Sequence, residues 1–312
     1  MNIGIVGLGL IGGSMAKAIK EFTGHTVWGQ DKDFKTQAQA LAEGVLDGVL
    51  DEKSLGQCQI LLLALYPRAT IDFLSAHAGN ISKNTWVVDL CGVKEPVCQA
   101  VAPLASRHGF YFVGGHPMAG RERSGYGAAE ARLFCGASML LTPEVAAPGG
   151  PASGDAAPGG PSPSAAQPEA PAPASLRQDL EAFFLSLGFR TVHFTSPAEH
   201  DRVIAYTSQL AHILSNAYVK STTALQYENF AGGSFQDLTR VATLNVEMWS
   251  ELFFLNRENL IKEIDGLCGR LAAYSDALSR QDTAAMAALL QEGCDWKARI
   301  SSPGKAAPKI SL

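Results

Sequence analysis

Asn2-Ile3-Gly4-Ile5-Val6 runs directly into Gly7-Leu8-Gly9-Leu10-Ile11-Gly12, and helix-like sequence follows. The pattern is G-x-G-x-x-G between an apolar strand and a helix, the context in which it reads as a dinucleotide-binding turn. Gly7 permits the tight turn, Gly9 admits a pyrophosphate and Gly12 lets helix and strand pack closely, while Leu8, Leu10 and Ile11 complete the loop. The pyrophosphate would then meet the free amides and positive dipole at the helix start. Nineteen residues after Gly12 stands Asp31, at the end of the second apolar run. A carboxylate there accepts bonds from both ribose hydroxyls and repels a 2'-phosphate, and no arginine follows closely, so the cofactor expected is NAD rather than NADP. The bland alternatives are a tight turn in a cofactor-free fold and an aspartate that merely starts the next turn.

Outward from this loop, short apolar runs alternate with helix-like segments. Strands are predicted at Asn2–Val6, Thr26–Gln30, Ile60–Leu65, Trp86–Leu90, Phe110–Gly114, Ser138–Leu141 and Arg190–Phe194. That alternation predicts an α/β, Rossmann-type, doubly wound parallel sheet over residues 1–195. Residues of about 143–174 shift to proline, alanine, glycine and serine, with too little apolar content to pay for ordering, and are expected to be a disordered insertion within this domain. Ser196-Pro197-Ala198-Glu199 is a capping-box sequence with proline at the first helical position. It opens an all-helical domain over 196–300, with a long helix from about Pro197 to Leu225, a break at Gly232-Gly233, and helices over Asn245–Asn256, Glu258–Ser279 and Thr283–Arg299. Residues 301–312 are expected to form a flexible tail.

The 312 residues carry a net charge of -5, and 46% of them are hydrophobic, which suits globular domains and gives no surface for a polyanion such as nucleic acid. No apolar run approaches the roughly 18 residues of a membrane span, and strand-like residues directly after Met1 leave no room for a signal peptide; a cytoplasmic protein is expected. The six cysteines show neither a C-x-x-C pair nor metal-ligand spacing, so no metal is expected. Cys91 stands out because it ends a strand, where ligands bind in such sheets.

A second motif carries the chemistry. Gly114-Gly115-His116-Pro117-Met118-Ala119-Gly120 sets a histidine among glycines directly after an apolar run. Glycines admit close approach of a ligand and proline restricts the backbone, so the imidazole is expected at the lip of a strand. A side chain titrating near pH 6.5 is the natural acceptor for the proton of an alcohol being oxidised.

This stretch, with Glu122 and Ser124-Gly125 behind it, resembles the prephenate dehydrogenase family, which includes the arogenate dehydrogenases. The opening Gly-Leu-Gly-Leu-Ile-Gly-Gly-Ser, Asp89 with Val93-Lys94, Phe235-x-Asp237-x-Thr239-Arg240 and Met248-Trp249 stand in family order. The resemblance implies NAD-dependent oxidative decarboxylation of prephenate to 4-hydroxyphenylpyruvate, CO2 and NADH, in tyrosine biosynthesis. It makes His116 the catalytic base on the ring hydroxyl and Arg240 the receiver of a substrate carboxylate, a role suited to a planar guanidinium. His212, on one helix face with Gln209 and Asn216, would lie near the substrate side chain. Glu122 and Asp237 would form a gate with the arginine, Asp237 reaching in from a partner subunit, and a homodimer through the helical domain is expected.

Two positions depart from the family. A serine that bridges substrate hydroxyl and nicotinamide ribose is replaced by Gly92, so that a water or Ser124 would have to supply that bond, and a second family histidine is replaced by Gln209. Prephenate and arogenate differ only by a keto or amino group, so arogenate dehydrogenase is the near alternative. The more distant ones are a 3-hydroxyacid dehydrogenase and a non-catalytic NAD sensor. With no segment left for a regulatory or fused mutase domain, a monofunctional enzyme is expected.

Overall fold

The computed structural model describes residues 1–143, 174–226 and 230–301. The insertion expected over about 143–174 and the tail expected over 301–312 lie, but for their end residues, outside the described residues. Met1–Arg257 and Glu258–Leu312 form two compact units.

The first unit is built on an eight-stranded sheet. Its strands are β1 (Asn2–Val6), β2 (Thr26–Gln30), β3 (Gly48–Val49), β4 (Ile60–Leu63), β5 (Trp86–Asp89), β6 (Tyr111–Pro117), β7 (Ser138–Thr142) and β8 (Thr191–Phe194). Their order is β3-β2-β1-β4-β5-β6-β7-β8. β4 is buried at every position, and its Ile-Leu-Leu-Leu sequence is what a strand covered on both faces requires. On one face Ile5, Leu62, Val88 and Val113 pack with Met15 and Ile19 of α1 (Leu10–Phe22) and with Phe183 and Phe184 of α6 (Ala174–Ser186). On the other, Leu61, Leu63, Val87 and Phe112 pack against α4 (Pro67–His77) and α5 (Glu95–His108). The remaining helices beside the sheet are α2 (Phe34–Ala42), capped by the Asp33 side chain, and α3 (Glu52–Leu55), capped by Asp51.

The sheet is the doubly wound, mostly parallel one expected, with one antiparallel pair. β6 runs antiparallel to β7, with His116 opposite Leu140 and Pro117 opposite Met139, while every other adjacent pair is parallel. β6 also extends past Gly114 to Pro117, so His116 is its last residue but one, beyond the Asp89–Gly114 pair that ends the β5–β6 ladder. Its two glycines serve packing, not ligand approach. A Cβ on Gly114 would lie 2.2 Å from Thr142 Oγ1, and one on Gly115 would lie 2.6 Å from the Asp89 carbonyl oxygen.

After β8 the chain is helical. Ser196 accepts a bond from the Glu199 amide, half of the capping box, and starts α7 (Pro197–Ile204). The other half is not made, because the Glu199 carboxylate pairs with Arg202. The long helix expected to Leu225 is interrupted. Residues Ala205–Leu210 form a π-helical segment, α8 spans Ala211–Tyr218, and a 3-10 turn covers Thr222–Gln226. A short helix, α9 (Gly233–Thr239), carries Asp237 and ends at Arg240, and α10 (Val246–Leu255) is capped by the Asn245 side chain. The second unit holds most of α11 (Arg257–Ser279) and all of α12 (Thr283–Ser301), where the Tyr274 hydroxyl donates to the Leu289 carbonyl. No helix among the described residues is long and apolar enough to cross a membrane.

Candidate functional site

The glycine loop connects β1 to α1. Gly7 has φ +86°, in the left-handed region, and a Cβ there would lie 2.5 Å from the Ala64 carbonyl oxygen. At Gly12 a Cβ would sit 1.9 Å from the Gly7 carbonyl oxygen, so only glycine allows strand and helix this close. Gly9 differs from both. A Cβ on it would meet nothing within 4 Å, and as the N-cap of α1 it places no side-chain acceptor on the first-turn amides. Open space before unclaimed helix amides is what a pyrophosphate needs, so these residues fit a dinucleotide. The Asp31 carboxylate is already oriented, accepting from the Leu8 amide at 2.6 Å and the Asp33 amide at 2.9 Å.

His116 sits two strands away from β4, along β6, and is half-buried. Its Nδ1 lies 2.9 Å from Nε2 of His200, and Nδ1 of His200 lies 2.7 Å from Oδ1 of Asp201. Asp201 in turn accepts from the Lys94 amide at 2.7 Å and the Glu95 amide at 2.9 Å, which ties α7 to the start of α5. Beneath the histidine, the Lys94 ammonium is fully buried, paired with Asp89 and donating to the Gly115 carbonyl at 2.7 Å. Asp89 also accepts from the Cys91 amide. The residue before His116 is therefore fixed by a buried ion pair.

Electrostatics follow from that burial. Loss of hydration, then the proximity of His200 and of the Lys94 cation, holds His116 well below the ordinary imidazole range. Burial likewise lowers His200, partly opposed by Asp201. For Lys94 burial alone would lower the pKa, but the paired Asp89 carboxylate outweighs it and keeps the ammonium charged. The Cys91 thiol is pushed up by burial and is hydrogen-bonded near Thr70 and the Leu65 carbonyl, so it is an inert structural group. No cluster of metal-ligating side chains occurs among the described residues.

The expected substrate residues fall into two groups. Gln209, His212 and Asn216 all turn toward residues 242–256: Gln209 bonds the Leu252 carbonyl and Asn256, the His212 ring lies 4.1 Å from Trp249, and Asn216 donates to the Ala242 carbonyl. Gln209 is buried with both ends of its amide occupied, and it backs Asn256, which also bonds the Asp201 carbonyl. His212 Nδ1 donates to the Ser208 carbonyl at 2.9 Å. The second group is exposed. Arg240 and Glu122 are ion-paired at 2.8 Å, with the hydrogen bond holding the Glu122 carboxyl below its usual range, and Ser124 and Asp237 also lie at the surface. The loop bearing Glu122 and Ser124 is anchored by Tyr126, whose hydroxyl donates to Glu43 and whose ring faces Lys17.

Sequence reasoning missed His200, Asp201 and the Leu252–Gly92 contact, and it quoted Lys94 and Trp249 without a role. The one available signal was Glu199-His200-Asp201 itself, a histidine beside a carboxylate in the first turns of a capped helix.

The family described as "Prephenate dehydrogenase, nucleotide-binding domain" matches residues 15–149, and "Prephenate dehydrogenase, dimerization domain" matches residues 196–292. The chain is 30% identical over 274 residues to the prephenate dehydrogenase of Bacillus subtilis, covering 84% of this chain and 66% of that protein's length. The crystal structure of Synechocystis arogenate dehydrogenase has a TM-score of 0.74 at 25% identity, covering 96% of this chain and 100% of that one. The prephenate dehydrogenase of A. aeolicus, solved with hydroxyphenyl propionate and NAD+, shares the fold with a TM-score of 0.77 at 24% identity, covering 96% and 98%. With both halves matched in order, the chain belongs to the prephenate dehydrogenase family.

Proposed function

We propose that the protein is an NAD-dependent dehydrogenase that oxidises and decarboxylates a cyclohexadienol, with prephenate as the substrate and 4-hydroxyphenylpyruvate, CO2 and NADH as products, on the route to tyrosine. The observation that carries this is His116, a half-buried histidine kept neutral and fixed beside a nucleotide-binding sheet edge. A neutral imidazole with a lone pair to spare takes the hydroxyl proton as the ring becomes aromatic and the carboxylate carbon leaves as CO2. The nicotinamide, when bound, accepts the hydride. Gly7, Gly9 and Gly12 with the start of α1 hold the pyrophosphate, and the oriented Asp31 carboxylate takes the ribose hydroxyls, which supports NAD over NADP.

Arg240 takes a substrate carboxylate in place of Glu122, and their exposed ion pair is a contact that a ligand can exchange cheaply. Ser124 and Asp237 border that entrance. His212, with Nδ1 committed to Ser208, offers Nε2 to the substrate side chain, and Gln209, bonded to Leu252 and Asn256, lines the same helix face. The reading divides the chain into a cofactor domain over 1–195 and a helical substrate and dimerisation domain over 196–300, acting as a cytoplasmic homodimer. Exposed Tyr218, Phe230, Leu238, Val246 and Phe254 support a partner copy on the helical part of the first unit.

A second reading, arogenate as substrate, is favoured by one feature: with Nδ1 of His212 donating to the Ser208 carbonyl, its Nε2 can act as an acceptor, which suits an ammonium and not a keto oxygen. NADH formation with prephenate or arogenate, each with NAD or NADP, tests both. The highest kcat/KM is expected for prephenate with NAD; a preference for arogenate transfers the assignment to that substrate, and no turnover of either removes it.

A further inference from the structure

His116 has two ring nitrogens, and only a bare Nε2 or a bare Nδ1 can serve as a base; the protein must decide which. Asp201 decides it from a distance. Both its oxygens accept from backbone amides, Oδ1 from Lys94 and Oδ2 from Glu95, so its remaining neighbour at 2.7 Å, Nδ1 of His200, must donate. A neutral His200 with its hydrogen on Nδ1 has a bare Nε2, which at 2.9 Å can only accept from Nδ1–H of His116. His116 then keeps its lone pair on Nε2.

The chain near the substrate end of β5 offers no hydroxyl at position 92. Gly92 stands where the family carries a serine that would help orient the reacting hydroxyl, and the place is roofed by a leucine. A Cβ on Gly92 would lie 3.2 Å and 3.3 Å from the two methyls of Leu252. Gly92 therefore supplies no side-chain hydrogen bond of its own.

Resting on the dehydrogenase reading above, we propose that His200, held by Asp201, is the positioning residue that fixes the tautomer and orientation of His116 and shares its charge once the substrate proton arrives. The proton balance closes over the cycle. Nε2 of His116 gains the hydroxyl hydrogen while Nδ1–H stays bonded to His200, the imidazolium is stabilised through His200 by the Asp201 carboxylate, and once CO2 has left, Nε2 returns the proton to the phenolate oxygen to give the phenol and a neutral His116. The other charged groups in this region are Lys94 at the start of α5 and Asp89 on β5, whose charges largely offset each other in their buried pair. Depression of His200 by burial supports the scheme, because a doubly protonated His200 would donate to Nδ1 and leave the hydrogen on the wrong side of His116.

The test pairs kinetics with spectroscopy on the full chain. His200→Leu removes the acceptor, whereas His200→Gln offers a side-chain oxygen that can still accept from Nδ1–H of His116. Against the wild type, His200→Leu should lower kcat about 100-fold with KM for substrate and NAD changed less than about threefold, and His200→Gln should recover at least about tenfold of the loss. Nitrogen-15 NMR of the wild-type protein, with His116 assigned through His116→Asn, should show the hydrogen on Nδ1 and a bare Nε2 at neutral pH. A His200→Leu variant that folds and keeps kcat within about twofold overturns the proposal, and so does a His116 signal with the hydrogen on Nε2. Should His200→Leu fail to fold, the His200→Gln rate and the wild-type NMR signal still decide. Failure of the dehydrogenase reading looks different: the wild type forms no NADH from prephenate or arogenate, while the NMR signal still reports the tautomer.

Discussion

His116 and Arg240 stand at the two ends of the proposed chemistry and are held in opposite ways. His116 is fixed from below by the buried Lys94–Asp89 pair and from the side by His200 and Asp201, in a region where side chains are largely shielded from water. Arg240 meets one carboxylate, Glu122, and two thirds of its side chain is exposed. A buried network costs much to break and so holds a geometry, whereas an exposed ion pair costs little and so can be exchanged. The difference suits a base that must not move and a cation that must release one carboxylate to take another.

The sharpest way to break this contrast is at Lys94. Lys94→Met leaves Asp89 buried without its cation and should destabilise the fold by about 3 to 5 kcal/mol, seen as a large drop in Tm. A Tm within about 2 °C of wild type would mean that the buried pair does not anchor the histidine strand. Arg240→Ala should act on binding instead, raising KM for substrate about 10- to 100-fold with little change in Tm. An unchanged KM would remove Arg240 from the substrate site.

Acid should distinguish the two regions as well. Because His116 and His200 are held below their ordinary range in the folded chain, the unfolded chain binds more protons between the folded and unfolded values. Stability should therefore fall as pH drops below about 6.5, and His116→Asn should flatten that slope. A stability curve level from pH 7 to pH 5 would contradict the buried neutral state. The smallest effect belongs to Glu122→Gln, which should leave Tm unchanged and shift KM less than about threefold, in a direction that added salt mimics. A large loss of stability there would make the gate a structural bond.

What was readable in the sequence was what is local. The glycine loop and Asp31 depend on neighbours in the chain: Gly7 and Gly12 sit where a Cβ would collide with backbone, and Gly9 faces open space. β3, at two residues, is too short to show a periodicity, and nothing in Ser138–Thr142 itself says that it pairs antiparallel with β6. The glycines around His116 invited a ligand-approach reading because sequence shows the missing side chain and not what fills its place, here Thr142 and Asp89. His200 meets His116 across 84 residues, and the π-helical segment that seats Gln209 breaks the face periodicity from which the long helix was read. Both are products of packing between elements, which no local pattern encodes.

The central claim is that His116 is the base for oxidation of a ring carbinol. It is tested most directly by NADH formation from prephenate and NAD in wild type and His116→Asn, with circular dichroism confirming that both are folded. Turnover by the wild type, with kcat lowered about 10²- to 10⁴-fold in the variant at similar KM, is the expected result. A folded His116→Asn protein with kcat near wild type would contradict it.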